Sequence, residues 1–311
     1  MSKKPFVSII VLTWNGIKDT LLVLQDIAKL DTKGLKAETL VVDNGSTDET
    51  VKTLENYRLP NMDFRLIKTG ENLGFAGGNN VGIKNALRRG ADFVILLNND
   101  VILKNNLLTA LVKIAQKDPR IGLISPKMYF AKGFEFHKNR YKEEDKGKVI
   151  WYAGGVIDWE NIYSSHRGVD EVDKGQYDKQ VETDFANGAC VLIRKEVFRK
   201  VGYLDDGFFL YWEDADFSEK AKRLGFKVVY TPRTCLWHKV SSSAGGSGSP
   251  SNDYFLVRNR FIFGMRYASF RTKIALVRDS LRLLFIGRPW QKKGARDGLL
   301  GRMGKASWAK K

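Results

Sequence analysis

The sequence predicts an α/β fold: a mostly parallel, doubly wound sheet flanked by helices, followed by a basic helical C-terminal extension. Three observations carry this. Apolar, β-branched runs without polar alternation recur through the first 125 residues or so, as in strands buried on both faces. Segments of helical spacing separate them with short connections, the alternation of a parallel sheet. The runs end in polar residues, Thr13-Trp14-Asn15, Asp43-Asn44-Gly45-Ser46 and Asn98-Asn99-Asp100. In such sheets the ligand sits beyond the carboxyl ends of the strands.

Each element has its own signal. Phe6–Thr13 is a continuous apolar strand, and Thr20–Leu30 has helical spacing. Glu38–Asn44 is a second buried strand, and Ser46-Thr47-Asp48-Glu49 reads as a capping box opening a helix toward Asn56. Phe64–Lys68 is a third strand, followed by a glycine-started helix that closes at Gly90. Asp92–Leu97 is a fourth strand, a helix spans 104–118, and a fifth strand follows at 121–125. Residues 131–183 change to a polar insertion, within which 151–159 looks like a hairpin. Order resumes with a strand and short helix over 185–202, a helix over Glu213–Gly225, and a strand from Phe226. Residues 241–253 are rich in Ser and Gly, either a linker or a mobile lid. The expected units are therefore 1–240, a flexible loop at 241–253, and a basic helical region over 254–311.

Net charge is +17, and Arg258–Lys311 alone carry fifteen Lys and Arg against two acids. The basic character thus belongs to the tail, which an anionic lipid surface or nucleic acid would attract. Residues 273–290 place Ile274, Val277, Leu281, Leu284 and Phe285 on one helical face beside Arg278 and Arg282. That face reads either as an interfacial helix or as one packed on the main unit. Cys190 and Cys235 lie far apart, giving neither a disulfide framework nor a zinc pattern and suiting a reducing cytosol. His137, His166 and His238 show no metal-binding spacing. No signal peptide and no membrane span are expected.

A dinucleotide fingerprint fails, because the first strand is followed by Thr13-Trp14-Asn15-Gly16, and no phosphate loop is present. Carboxylates and amides at strand ends suit a nucleotide with a divalent cation. Asp43 is placed to accept the N3–H of a pyrimidine, and Asp100 to ligate Mg2+ or Mn2+. Glu213 and Asp214 open a helix whose dipole favours carboxylates. Aromatics Phe208, Phe209, Tyr211 and Trp212 flank them, a platform for a sugar and a partly desolvated base. An ordinary acidic first turn is the plainer alternative, and His238 by itself reads as a structural imidazole.

In order along residues 6 to about 240, the stretches VSIIVLTWNG, VVDNGSTDET, NLGFAGGNNVG, LLNNDV, ANGACVLIRKEVFRKVGYLDDGFFLYWEDADF and YTPRTCLWHK resemble glycosyltransferase family 2. The likeness is nearest to its rhamnosyltransferase-like branch, which builds surface polysaccharides. The resemblance implies a Rossmann-like GT-A fold, with nucleotide-sugar binding and catalysis in 1–240 and acceptor-side loops in 131–183. It implies that Asp43 holds the base, with Thr13 and Asn15 lining the same pocket. Asn72, Gly74 and Asn79 would approach the nucleotide or donor sugar. Asn98-Asn99-Asp100 takes the place of a D-x-D metal motif, with Asn98 a weaker, neutral ligand, and His238 completes the metal site. Asp214 matches the general base and Glu213 its partner, with Tyr211, Trp212 and Gly188 on the acceptor and sugar side.

The implied reaction is inverting transfer from a dTDP- or UDP-linked sugar to a glycan or lipid-linked hydroxyl. Mg2+ or Mn2+ serves the departing diphosphate, and Arg258 or Arg260 acts as a second phosphate clamp. The expected location is cytoplasmic, peripheral on the inner face of the plasma membrane. Three other classes compete. A sugar nucleotidyltransferase would want a glycine- and basic-rich loop where TWNGIKDT stands. A nucleic-acid-binding protein would want a recognition motif, and no specific nucleic acid is expected. An inactive carbohydrate-binding relative would not need the Asp100, Glu213 and Asp214 set.

Overall fold

The computed structural model describes residues 4–137, 139–240 and 248–309. Its first half alternates as expected: β1 (Phe6–Thr13), α1 (Ile17–Ile27), β2 (Lys36–Asp43), α2 (Thr50–Glu55), β3 (Asp63–Lys68), α3 (Gly74–Arg88) and β4 (Phe93–Asn98). A short β5 (Val101–Leu103), α4 (Leu107–Lys117) and a long β6 (Ile121–Phe130) follow. The insertion supplies β7 (Ile150–Tyr152), β8 (Gly155–Asp158), β9 (Tyr163–His166) and β10 (Val181–Glu182). Then come β11 (Cys190–Arg194), α5 (Lys195–Val201), α6 (Glu213–Arg223) and β12 (Lys227–His238). Three helices close the chain: α7 (Pro250–Tyr267), α8 (Phe270–Ile286) and α9 (Pro289–Leu299).

The main sheet runs β10-β12-β6-β11-β4-β1-β2-β3. From β3 to β4 it is parallel. The strand order reverses beside β1, which places a crevice beyond the ends of β1 and β4. β1 shows why it is buried on both sides. Val7, Ile9 and Val11 pack into one apolar layer, while Phe6 and Ile10 pack into the other. Ser8 survives between them because its hydroxyl donates to Glu38 Oε1 at 2.6 Å, and Arg89 caps that carboxylate at 2.7 Å.

The sheet is less parallel than the apolar runs suggest. β11 enters antiparallel between β4 and β6, and β5 pairs antiparallel with the far end of β12. β12 continues to His238 rather than stopping near Pro232. The hairpin expected at 151–159 divides instead: β7 joins β6, while β8 turns back on β9. The capping box at Ser46–Glu49 does not form. Ser46 Oγ accepts from the backbone of Asn15, and α2 starts at Thr50, whose N–H is taken by Asp48.

Residues 241–247 of the expected flexible loop lie outside the described residues, whereas Ser249 caps α7 and Pro250 opens it. α7 packs on the sheet domain. Phe263 meets Trp212 with ring centroids 4.7 Å apart, and Arg266 and Tyr267 both bond Asp216 at 2.8 Å. α9 closes on α7 through Tyr254 Oη to Asp297 at 2.6 Å. The contact depends on Gly294, where a Cβ would come within 2.5 Å of the Tyr254 carbonyl oxygen. Backbone cannot yield as a side-chain tip does, so Gly294→Val is expected to cost about 1–3 kcal/mol. The check is a lowered urea midpoint at unchanged m-value.

Candidate active site

The loops that follow β1 and β2 are stitched to one another. Asn15 has left-handed backbone, φ 50°. Its Oδ1 accepts from Thr47 N at 2.8 Å, while its own N–H reaches Ser46. Thr13 Oγ1 accepts from Thr20 Oγ1 at 2.8 Å. Asp43, at the end of β2, is buried; its Oδ2 accepts from Gly45 N and Ser46 N, both at 3.2 Å. Its Oδ1 is buried with no partner among the described residues. A buried carboxylate oxygen left open at a strand end wants an N–H from outside the protein.

Asn44 and Asn72 build the next turn. Asn44 Nδ2 donates to Gly74 O at 3.0 Å, its Oδ1 accepts from Leu73 N at 3.0 Å, and Asn72 Oδ1 accepts from Gly74 N at 2.8 Å. Asn72 Oδ1 therefore shapes the loop. Asn79 donates to Phe75 O at 2.9 Å, and its Oδ1 is buried and unpartnered among the described residues. Gly74 has φ +76°, and any Cβ there would strike Phe209.

At the end of β4, Asn98 is partly exposed while Asn99 turns back into the fold. The Asn99 amide donates to Thr20 Oγ1 at 3.1 Å and lies 3.4 Å from Thr13 Oγ1 and Gly16 O. Asp100 is buried, and its Oδ1 lies 3.0 Å from His238 Nε2. The β5–β12 pairing, which sets His238 opposite Val101, brings these distant residues together. His238 Nδ1 is buried without a partner among the described residues, and the Trp151 ring meets the imidazole edge-on at 4.3 Å. Among the described residues no three His, Cys, Asp or Glu side chains gather to hold a metal.

Glu213 and Asp214 open α6. Asp214 Oδ2 accepts from Gly188 N at 3.1 Å and Oδ1 from Ala215 N at 2.8 Å. Burial raises its pKa against those two donors. Burial, then the neighbouring Asp214 charge, holds the Glu213 pKa well above the carboxylate range. Gly188 has no room for a side chain, since a Cβ would press on Phe75 at 3.0 Å. Ala189 O accepts from Asn98 N at 2.9 Å. The segment that holds Asp214 is thus bonded to the end of β4, and Asp43, Asp100 and Asp214 share one rim of the sheet.

The model of glycosyl transferase family 2 matches residues 8–202. The chain belongs to glycosyltransferase family 2. Among its relatives is the low-salt glycan biosynthesis hexosyltransferase Agl10 of Haloferax volcanii, 26% identical over 73% of this chain and 66% of that protein. Another is the N-acetylglucosaminyl-diphospho-decaprenol L-rhamnosyltransferase of Mycobacterium tuberculosis, 28% identical over 66% of this chain and 67% of that one. The chain thus spans about two thirds of the length of these relatives. In fold it is similar to GalNAc-T7, solved with UDP, GalNAc and Mn2+ (TM-score 0.68, 17% identical, 100% of this chain and 57% of that one). It is also similar to the mannosyltransferase PcManGT of Pyrobaculum calidifontis, solved with GDP-Man and Mn2+ (0.55, 19%, 99% and 76%). The expected GT-A fold is the one observed.

Within this family 2 chain two expectations need correction. Arg258 is fully buried, and its guanidinium donates to Gly207 O, Phe208 O, Gly304 O and Asn259 Oδ1. It is not a phosphate clamp, because those donors are committed to the protein's own backbone and Asn259. Arg260 is likewise engaged by Asp279 at 2.6 Å and by the carbonyls of Asn161 and Ile162. Trp212 is 5% exposed and packs on Phe263, so it offers no open face to a sugar, whereas Tyr211 stays partly exposed.

Several residues of this site escaped sequence reasoning. His166 Nδ1–H donates to Trp151 O at 3.0 Å, and its Nε2 accepts from Asn187 at 3.0 Å. Burial lowers its pKa to about 4, so it is neutral and braces the loop at Asn187, just before Gly188. Asn187 is readable in the ANGA stretch before β11, but nothing in the polar run around His166 marks it. Asn259 is the second omission. Its amide donates to Phe208 O at 3.0 Å and to Leu210 O and Tyr211 O at 2.8 Å each. Phe209, Tyr211 and Trp212 in that turn all have left-handed backbone. Asn259→Leu, which keeps the volume and removes the donors, is expected to cost about 1–3 kcal/mol, read as a lowered urea midpoint.

Proposed function

We propose that this chain is an inverting glycosyltransferase. It moves a sugar from a nucleoside diphosphate donor to a hydroxyl of a glycan or lipid-linked saccharide, in surface polysaccharide synthesis. The observation that carries the reading is Asp214: a carboxylate oriented by two backbone N–H groups, with a raised pKa, on the rim that also holds Asp43 and the Asp100–His238 pair. The rhamnosyltransferase and hexosyltransferase relatives support a deoxyhexose or hexose as the transferred group.

Asp43 Oδ1 receives the base N–H, which suits the uracil or thymine of a UDP- or dTDP-sugar. Gly45, with φ +77°, lets the chain pass close to Glu71 on the edge of that pocket. Asp214 takes the proton of the acceptor hydroxyl as its oxygen bonds to the anomeric carbon. The bond from that carbon to the diphosphate oxygen breaks on the opposite face, so configuration inverts without a covalent intermediate. Glu213 is buried with its Oε2 unpartnered among the described residues, and burial together with the Asp214 charge raises its pKa, which favours its neutral form beside Asp214.

A divalent cation fits the pair at the start of β5 and the end of β12. Asp100 and His238 present oxygen and imidazole nitrogen 3.0 Å apart, a partial ligand set that phosphate oxygens and water would complete. Asn98, at the open edge, adds a neutral amide. When bound, Mn2+ or Mg2+ would offset the charge that builds on the departing diphosphate. No helix among the described residues is long and apolar enough to cross a membrane. We place the work at the cytoplasmic face of a membrane, where lipid-linked acceptors are found.

Asp214→Asn is expected to bind donor as the wild type does, by calorimetry against UDP- and dTDP-sugars, and to lose about 10²–10⁴-fold in transfer rate. Near wild-type transfer by this variant would refute the base. The base must be ionised, and burial raises its pKa. The rate should therefore fall with acidity, on a limb lying above the ordinary carboxylate value of about 4. Asp100→Ala and His238→Ala are each expected to abolish the gain in donor affinity that Mn2+ gives, leaving metal-free affinity in place. A Mn2+ gain that persists in both variants excludes this pair as the metal site.

A further inference from the structure

We propose that α8 is a docking face for an anionic lipid bilayer, lying in the headgroup layer with its apolar stripe turned inward. Phe270 is 80% exposed, Ile274 56%, Leu281 47% and Phe285 78%. They recur at helical spacing on one side of α8, with Val277 between them. Soluble surfaces scatter such residues singly and do not line them up. A shallow groove of about 480 Å3 runs along the stripe from Met265 to Leu281.

The opposite side of the helix is already occupied. Thr272, Leu276 and Ser280 are buried, and Leu276 fills the space over Gly264 of α7. The exposed stripe is therefore the face left over once α8 is packed. The packed reading of this helix drawn from sequence describes its buried face, and the proposal concerns the other.

Charge selects the occupant. Arg271, Arg278 and Arg282 border the stripe on one side and Lys273 on the other, and none forms an ion pair with a described residue. The sole acid of α8, Asp279, is bound to Arg260 at 2.6 Å. An apolar stripe between basic borders matches acyl chains beneath anionic headgroups. A second copy of the chain matches poorly. A two-fold contact sets the same patch against itself, and here that opposes arginine to arginine with no acid to meet them.

The position also has a functional sense, which rests on the proposed transfer to a lipid-linked acceptor. Arg260 and Thr272 tie this region to the β8–β9 hairpin, through Asn161 O at 2.9 Å and Trp159 O at 3.4 Å. The far end of that hairpin is His166, which braces Asn187 beside Gly188 and Asp214. A bilayer seated on α8 would thereby hold the acceptor side of the site at a fixed attitude to the surface.

The test is co-sedimentation of the full chain with phosphatidylglycerol/phosphatidylcholine vesicles and with phosphatidylcholine alone. Binding is expected to the anionic vesicles only, and to weaken with salt. The double variants Phe270→Ser/Phe285→Ser and Arg278→Glu/Arg282→Glu should each reduce it at least about tenfold, with wild-type melting temperature and unchanged transfer to a soluble acceptor. Equal partition of wild type into both vesicles, or undiminished binding by either variant, overturns the proposal. So does sedimentation equilibrium that finds a dimer abolished by Phe270→Ser/Phe285→Ser in a chain that binds no vesicles. Loss of vesicle binding with soluble transfer intact leaves the enzymatic reading standing; vesicle binding without transfer from any donor does the reverse.

Discussion

The site depends on one strained turn. Phe209, Tyr211 and Trp212 hold left-handed backbone without being glycine, at about 1–3 kcal/mol each. Such a turn persists only when its surroundings over-determine it. Here α7 supplies the determination, Arg258 and Asn259 directing their donors into four of its carbonyls, from Gly207 to Tyr211. The turn delivers the chain into α6 with Asp214 facing Gly188. It also meets the start of α3, because Phe209 O accepts from Phe75 N at 2.7 Å and only a glycine at 74 leaves space for that approach. The 72–75 loop, Asp214 and the C-terminal helices thus share a single short segment.

The Asp100–His238 pair and the placement of Asp214 both rest on antiparallel pairings laid onto a parallel frame. β12 returns along β5 and carries His238 to Asp100. β11 returns along β4 and carries Gly188 to the rim where β4 ends. β12 runs with the parallel strands, as its pairing with β6 shows, and ends at their edge beside the start of β5, whereas β11 runs against them and begins at that edge. The buried imidazole of His166 completes the frame, neutral and fixed between two hydrogen bonds.

The sequence made legible what local pattern encodes. The strands β1 to β4 announce themselves by unbroken apolar runs, and Asp43, Asp100 and Asp214 stand out because each follows or opens a patterned element. Arg258 misled because an arginine beyond a Ser/Gly stretch reads as exposed; its burial is decided by carbonyls that lie some fifty residues earlier. Trp212 misled for a like reason, its partner Phe263 belonging to a helix whose packing no periodicity reveals. The capping box failed because Ser46 had a competing partner in Asn15, on another loop. His166 and Asn259 were missed because an isolated polar residue has no signature until its partners are known.

The reach of α7 into the turn before α6 bears on where this enzyme can be divided. The matched family segment ends at residue 202, before Asp214, His238 and Asn259. Motif boundaries and the cooperative unit therefore do not coincide. Any transplant of this domain into a relative, or exchange of donor and acceptor halves between homologues, has to carry the C-terminal helices with the turn they secure.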